Sequence, residues 1–180
     1  MSIDIAHLLQ AHHNPPDNLL PWLTHQASLT DKLQALSGDA ELVVLKQYWT
    51  APNWWDKHTL GISEKPILHR EILMSSHQIP CWYARTIVPE HTYQASHRFF
   101  NRLTQESLGV IIFNEPRIKR VQLVNYQITS QCIEYHWLNP FLVLKKEEQF
   151  WARLSIFNTD VMFNFYLIEI LLPGLMRVSA

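Results

Sequence analysis

The sequence predicts an α+β fold: a single antiparallel β-sheet of about six strands with helices packed on one face. Three observations carry this. Runs of seven to eleven residues rich in Val, Ile, Leu, Tyr and Phe recur along the chain and read as strands, at 41–50, 67–75, 79–88, 118–128, 132–138, 150–157 and 162–171. Two of them flank the short turn Ser76-His77-Gln78 and form a β-hairpin. Helical spacing is confined to a few short segments between strands, which favours an α+β arrangement over regular βαβ alternation.

The elements follow in order. Residues 1–12 carry Ile5, Leu8 and Leu9 at amphipathic spacing, and Pro15-Pro16 ends that pattern, so 1–18 reads as a loosely attached N-terminal segment. Ser28 is an N-cap followed three residues later by Asp31, which predicts a helix over 30–36 that stops at Ser37-Gly38. Residues 51–65 form a long connection bearing Trp54 and Trp55, of a length often found in lids and binding loops. The Trp49, Trp54 and Trp55 group reads as packing rather than as a stacking platform. Phe99, Phe100 and Leu103 give helical spacing to 93–104, and 107–113 is a short apolar helix or turn. No repeat or linker divides the chain, so 180 residues form one domain.

Composition bounds the function. Apolar residues make up 47% of the chain and aromatic residues 12%, which excludes disorder. Fifteen basic against sixteen acidic residues give a net charge of -1, so no basic excess favours nucleic acid or anionic lipid. Two cysteines, Cys81 and Cys132, do not make a disulfide framework and point to the cytoplasm. The N-terminus shows no signal peptide, and 161–176 is too short and too interrupted to span a membrane. Ten histidines contain no HxxxH pair and there is no CxxC, so no metal is expected. Four glycines form no phosphate loop, and GxSxG is absent.

The chemistry lies in charged residues set within apolar strands. Arg70 sits in Ile67-Leu68-His69-Arg70-Glu71-Ile72, Arg85 in Trp82-Tyr83-Ala84-Arg85-Thr86-Ile87, and Glu169 in Tyr166-Leu167-Ile168-Glu169-Ile170-Leu171. Such residues are seldom buried unless paired. Two guanidiniums and a carboxylate on buried strands predict a closed pocket for a small double anion. Strand alternation puts Arg70 with Leu68 and Ile72, and Arg85 with Tyr83 and Ile87. A hairpin loop of two or four residues sets Arg70 opposite Tyr83 and Arg85 opposite Leu68, both on one face. A three-residue loop separates them. Glu169 either pairs with an arginine or carries a raised pKa suited to a general acid. Arg153, in Trp151-Ala152-Arg153-Leu154-Ser155, reads as structural.

Six stretches, in order, resemble the chorismate lyase family, which makes 4-hydroxybenzoate at the start of bacterial ubiquinone synthesis. They are Trp22-Leu23 with Ser28-Leu29-Thr30; Arg70-Glu71-Ile72-Leu73; Ala84-Arg85-Thr86-Ile87-Val88-Pro89; Leu108-Gly109 with Ile112-Phe113; Trp151-Ala152-Arg153-Leu154-Ser155; and Glu169-Ile170-Leu171-Leu172-Pro173. The resemblance implies an antiparallel sheet with a buried site closed by flaps. It also implies conversion of chorismate to 4-hydroxybenzoate and pyruvate without cofactor or metal, by a monomer. By motif, Arg70 and Glu169 are the main polar ligands of the ring. Leu29 and Leu108 contact the ligand partly through backbone, and Arg85 is the second site arginine, suited to the enolpyruvyl carboxylate. Glu169 then interacts with the oxygen at C4 and is a candidate general acid. The alternatives are a sensor module of the same fold, as in ligand-binding domains of some transcription regulators, or a lyase yielding another hydroxybenzoate isomer. The chain is too short to add a winged-helix domain.

Overall fold

The computed structural model describes residues 5, 9, 14–104, 106–144 and 148–179. Most of the N-terminal segment therefore lies outside the described residues. The elements run α1 (Leu20–Leu23), α2 (Leu29–Ser37), β1 (Glu41–Thr50), α3 (Trp54–Thr59), β2 (Ile67–Ser76), β3 (Ile79–Pro89), α4 (Glu90–Ala95), α5 (His97–Phe100), a 3₁₀ turn (Asn101–Thr104), α6 (Leu108–Phe113), β4 (Lys119–Ile128), α7 (Ile133–Leu138), β5 (Phe150–Asn158), β6 (Asn164–Leu171) and α8 (Gly174–Val178). Six antiparallel strands form one sheet in the order β1-β2-β3-β6-β5-β4.

Strands β2, β3, β5 and β6 are buried along almost their whole length. A strand buried on both faces needs cover on both, and the helices supply it on the two faces rather than on one. Trp22, Leu33, Leu108 and Ile112 pack with Leu68, Ile72, Trp82 and Leu167 on the first face. Trp55, Tyr135 and Leu138 pack with Tyr83, Ile87, Tyr126 and Ile168 on the second. The 51–65 connection folds as α3 onto this second face, capped by Asn53 and Asp56 in a reciprocal box. Of its tryptophans, Trp55 is buried and Trp54 exposed.

The segment 132–138 is a helix, not a strand. Glu134, Tyr135 and Leu138 turn inward while Ile133 faces out, a helical period that a short aromatic run conceals. Among the described residues no helix is long and apolar enough to cross a membrane.

Three strand pairs carry a register shift, and the two in β2–β3 and β4–β5 set the faces of the charged residues. The β2–β3 turn is a two-residue loop, with His77 and Gln78 both at positive φ as a type I′ turn requires. Past the turn the register shifts: Ser75 pairs with Pro80 but Met74 with Trp82, so Cys81 is an extra residue on β3. One inserted residue turns every later side chain to the opposite face. In β4, Gln122 pairs with Ile156 but Arg120 with Phe157, leaving Val121 extra. Val124, Tyr126 and Ile128 face the second core, and the bulge rotates Arg120 onto the first.

Candidate functional site

The bulge at Cys81 separates the two arginines. Arg70 pairs with Thr86, and Arg85 pairs with Glu71 across the same two strands, so they occupy opposite faces of the sheet. The expected common face is therefore not formed, and Arg85 does not line the cavity that Arg70 enters. On the second face Arg85 is paired with a carboxylate and packed on an aromatic ring. Its Nη2 donates to Glu71 Oε1 at 2.9 Å, its Nε to the Tyr83 hydroxyl at 3.2 Å, and its guanidinium lies 3.7 Å from the Trp137 ring centroid. Tyr48 donates a further hydrogen bond to Glu71 at 3.3 Å.

On the first face a cavity forms over the middle of the sheet. Its floor comprises Arg70 and Ile72 of β2, Ala84 and Thr86 of β3, Leu167 and Glu169 of β6, Arg153 and Phe157 of β5, and Arg120 of β4. Its cover consists of two helix starts, Ser28-Leu29-Thr30 and Ser107-Leu108-Gly109, with Phe113. Both helices are capped by serine: Ser28 accepts from the Asp31 N–H and Ser107 from the Val110 N–H. Leu29 and Leu108 are each the first helical residue. Backbone N–H groups there have no intrahelical acceptor, which fits a ligand contact through backbone. The two covers touch, because a Cβ on Gly109 would meet Ser28 Oγ at 3.1 Å. The walls leave about 30 Å³ of free space. That holds one or two waters, so a ring-sized ligand enters only when the two covers part.

Three guanidiniums and one carboxylate line this cavity. Glu169 is the partner of Arg153, whose Nε donates to Glu169 Oε2 at 2.6 Å. Of the two expected states of Glu169, the structure forms the paired one. There the carboxylate accepts a charge-assisted hydrogen bond from the guanidinium. Arg153 Nη1 donates to Trp22 O and His25 O, both at 2.9 Å, tying β5 to the segment before the Ser28 cover. Arg153 is thus structural, as expected, and also a wall of the site.

Arg70 and Arg120 have no carboxylate partner among the described residues. Arg70 donates through Nη2 to Glu106 O at 3.0 Å, and its buried Nε has no acceptor. Arg120 donates through Nη1 to Gln26 O at 3.0 Å and His25 O at 3.4 Å, and its Nε likewise has none. Burial lowers the Arg70 guanidinium to about 10. Burial, and then the neighbouring Arg153, lower Arg120 to about 10. Both remain cations at neutral pH, held in surroundings that an anion would relieve. The cavity therefore carries two uncompensated positive charges. Among the described residues no group of three or more His, Cys, Asp or Glu converges as metal ligands would.

The structure thus brings together Arg70, Glu169, Leu29 and Leu108 from the sequence-predicted set and leaves Arg85 outside. The set missed Arg120. Simple alternation counted back from Ile128 puts Arg120 on the wrong face, and only the bulge at Val121 corrects it.

A family model described as chorismate lyase matches residues 9–174. A probable chorismate pyruvate-lyase of Aromatoleum aromaticum is 28% identical over 145 residues, which is 79% of this chain and 78% of that relative. One from Psychromonas ingrahamii is 29% identical over 146 residues, 80% and 77% of the two chains. One from Coxiella burnetii is 30% identical over 139 residues, 76% and 73%. Among solved structures, a GntR-family transcriptional regulator from Bacillus cereus aligns with a TM-score of 0.56 at 16% identity, covering 75% of this chain and 92% of that one. The PhnF C-terminal domain aligns with a TM-score of 0.55 at 13% identity, covering 84% and 94%. At such identities the structural likeness speaks for fold alone. The family match takes in nearly the whole sheet and all four charged residues of the cavity, and the chain belongs to the chorismate lyase family.

Proposed function

We propose that the chain converts chorismate to 4-hydroxybenzoate and pyruvate, as a cytoplasmic monomer acting at the first committed step of ubiquinone synthesis. One observation carries the proposal beyond family membership. A cavity of mixed polar and apolar lining holds two guanidiniums in excess over carboxylates, and chorismate is a cyclohexadiene bearing two carboxylates.

Arg70 holds the ring carboxylate through the N–H groups that Glu106 O leaves free. Glu169, positioned by Arg153, accepts a hydrogen bond from the hydroxyl at C4. In the reaction the C3–O ether bond breaks and its electron pair leaves with enolpyruvate. The C4 hydrogen departs as a proton and the ring becomes aromatic. The enolpyruvate gains a proton on carbon to become pyruvate, so protons balance. Aromatisation supplies much of the driving force, and the pocket's part is to orient the dianion and stabilise the charge that develops on the leaving oxygen. Leu29, Leu108 and Ile72 enclose the ring and exclude water.

The test is incubation of the purified chain with chorismate in EDTA, with products separated by chromatography. Equal amounts of 4-hydroxybenzoate and pyruvate support the proposal. Chorismate left unconsumed, with 4-hydroxybenzoate bound tightly, would turn it into the sensor-type reading, and a different hydroxybenzoate would redefine the product.

A further inference from the structure

We infer that Arg120 is the second carboxylate anchor of the cavity, holding the enolpyruvyl carboxylate while Arg70 holds that of the ring. The inference rests on the chorismate reading above and assigns the partner of its second anion.

Donor accounting separates the three cavity arginines. A guanidinium has five N–H donors, and its Nε–Nη2 edge matches a carboxylate side-on. In Arg153 the Nε of that edge is taken by Glu169, and Nη1 serves two carbonyls. In Arg120 only Nη1 is engaged, by the carbonyls of His25 and Gln26. Its Nε is buried without an acceptor, and its Nη2 makes no hydrogen bond among the described residues. The carbonyl contacts fix the guanidinium without neutralising it. Phe113 and Phe157 lie against it at 5.3 and 5.2 Å from their ring centroids, which limits the solvent that could take the place of an anion.

Position agrees with the chemistry. In the sheet order β1-β2-β3-β6-β5-β4, Glu169 on β6 lies midway, two strands from Arg70 on β2 and two from Arg120 on β4. In chorismate the ring carboxylate at C1 lies across the ring from the C4 hydroxyl, and the enolpyruvyl arm leaves C3, beside C4. With the ring carboxylate on Arg70 and the C4 oxygen on Glu169, the arm leaves to one side of the C1–C4 axis, and the ring orientation that turns C3 toward β4 brings the arm carboxylate to Arg120. Arg85, the other arginine with a claim to that anion, is on the far face of the sheet and paired with Glu71.

The competing role is structural, since Arg120 also braces the segment leading to Ser28. The two roles differ for a ligand with one carboxylate. Chorismate KM and kcat and 4-hydroxybenzoate Kd would be measured for the wild type, Arg120→Gln, Arg120→Lys and Arg70→Gln. The expected result for Arg120→Gln is a rise of tenfold or more in chorismate KM with 4-hydroxybenzoate Kd changed less than threefold. Arg120→Lys should recover part of the loss, and Arg70→Gln should weaken both ligands. If Arg120→Gln weakens both ligands equally, Arg120 is a brace and the inference falls. It falls too if neither ligand is affected. If the wild type neither converts nor binds chorismate, the function itself is wrong and the anchor goes with it.

Discussion

Replacing Arg153 with Met strands Glu169. Arg153 is 1% exposed and Glu169 6%, so the carboxylate left behind has little access to water. Removing one partner of a buried ion pair costs about 3–5 kcal/mol. The carbonyls of Trp22 and His25 lose charge-assisted donors as well, at roughly 1 kcal/mol each. A loss of about 5–7 kcal/mol follows, and at about 2–4 °C per kcal/mol for a chain of this size the midpoint drops by roughly 10–28 °C. The Arg153→Met/Glu169→Gln double variant removes the stranded charge and should regain most of the ion-pair share, leaving only the carbonyl loss. Urea unfolding of wild type, both single variants and the double variant gives the coupling energy. A single-variant loss under about 1 kcal/mol, or a double variant as unstable as Arg153→Met, would refute the claim that Glu169 is held as the anion of a buried pair.

Other outcomes follow from the same geometry. Arg70→Gln should raise chorismate KM roughly 10- to 100-fold, the worth of a charge-assisted anchor, with the far-ultraviolet circular dichroism unchanged; normal turnover would remove Arg70 from the site. Gly109→Ala should lower kcat/KM several-fold, because the new methyl meets Ser28 Oγ at 3.1 Å where the covers must part. Its thermal midpoint should stay within a few degrees of the wild type, since the helix gain of about 0.5–1 kcal/mol is offset by the displacement of Ser28 that the close approach requires, and a large fall in stability with normal turnover would contradict the reading. Glu134, on the second face, has its carboxyl raised above the ordinary value by burial. A raised carboxyl binds more protons folded than unfolded, so its contribution is present below the ordinary glutamate range and lost as pH rises through the folded value. Thermal midpoints of Glu134→Gln against wild type should therefore diverge in the variant's favour with rising pH; a gap independent of pH would rule this out.

The sheet is legible because its strands are long and rich in aliphatic and aromatic residues: 41–50 agrees residue for residue with β1, although that edge strand is mostly exposed, and the hairpin of β2 and β3 falls within two residues. Ser28 and Asp31 announced α2 through their capping chemistry. Arg70 and Glu169 stood out as charges among apolar neighbours, and both line the cavity. What alternation could not reveal were the two inserted residues. Cys81 and Val121 look like ordinary strand residues, yet one carries Arg85 away from the site and the other carries Arg120 into it. A bulge is decided by pairing with the neighbouring strand, whose partners lie 22 or more residues away in the β4–β5 case, so a local pattern does not contain it. The segment 132–138 misled for a related reason, because a short aromatic run satisfies both periods until its packing against Tyr126 and Phe150 is known.

The most direct test of the central claim, that the cavity on the Arg70 face is the site, is a crystal structure of the chain with 4-hydroxybenzoate. The ligand is expected beneath the Ser28 and Gly109 covers, its carboxylate on Arg70 and its phenolic oxygen on Glu169. Density for the ligand on the opposite face, beside Arg85 and Trp137, with the Arg70 cavity unchanged, would contradict it.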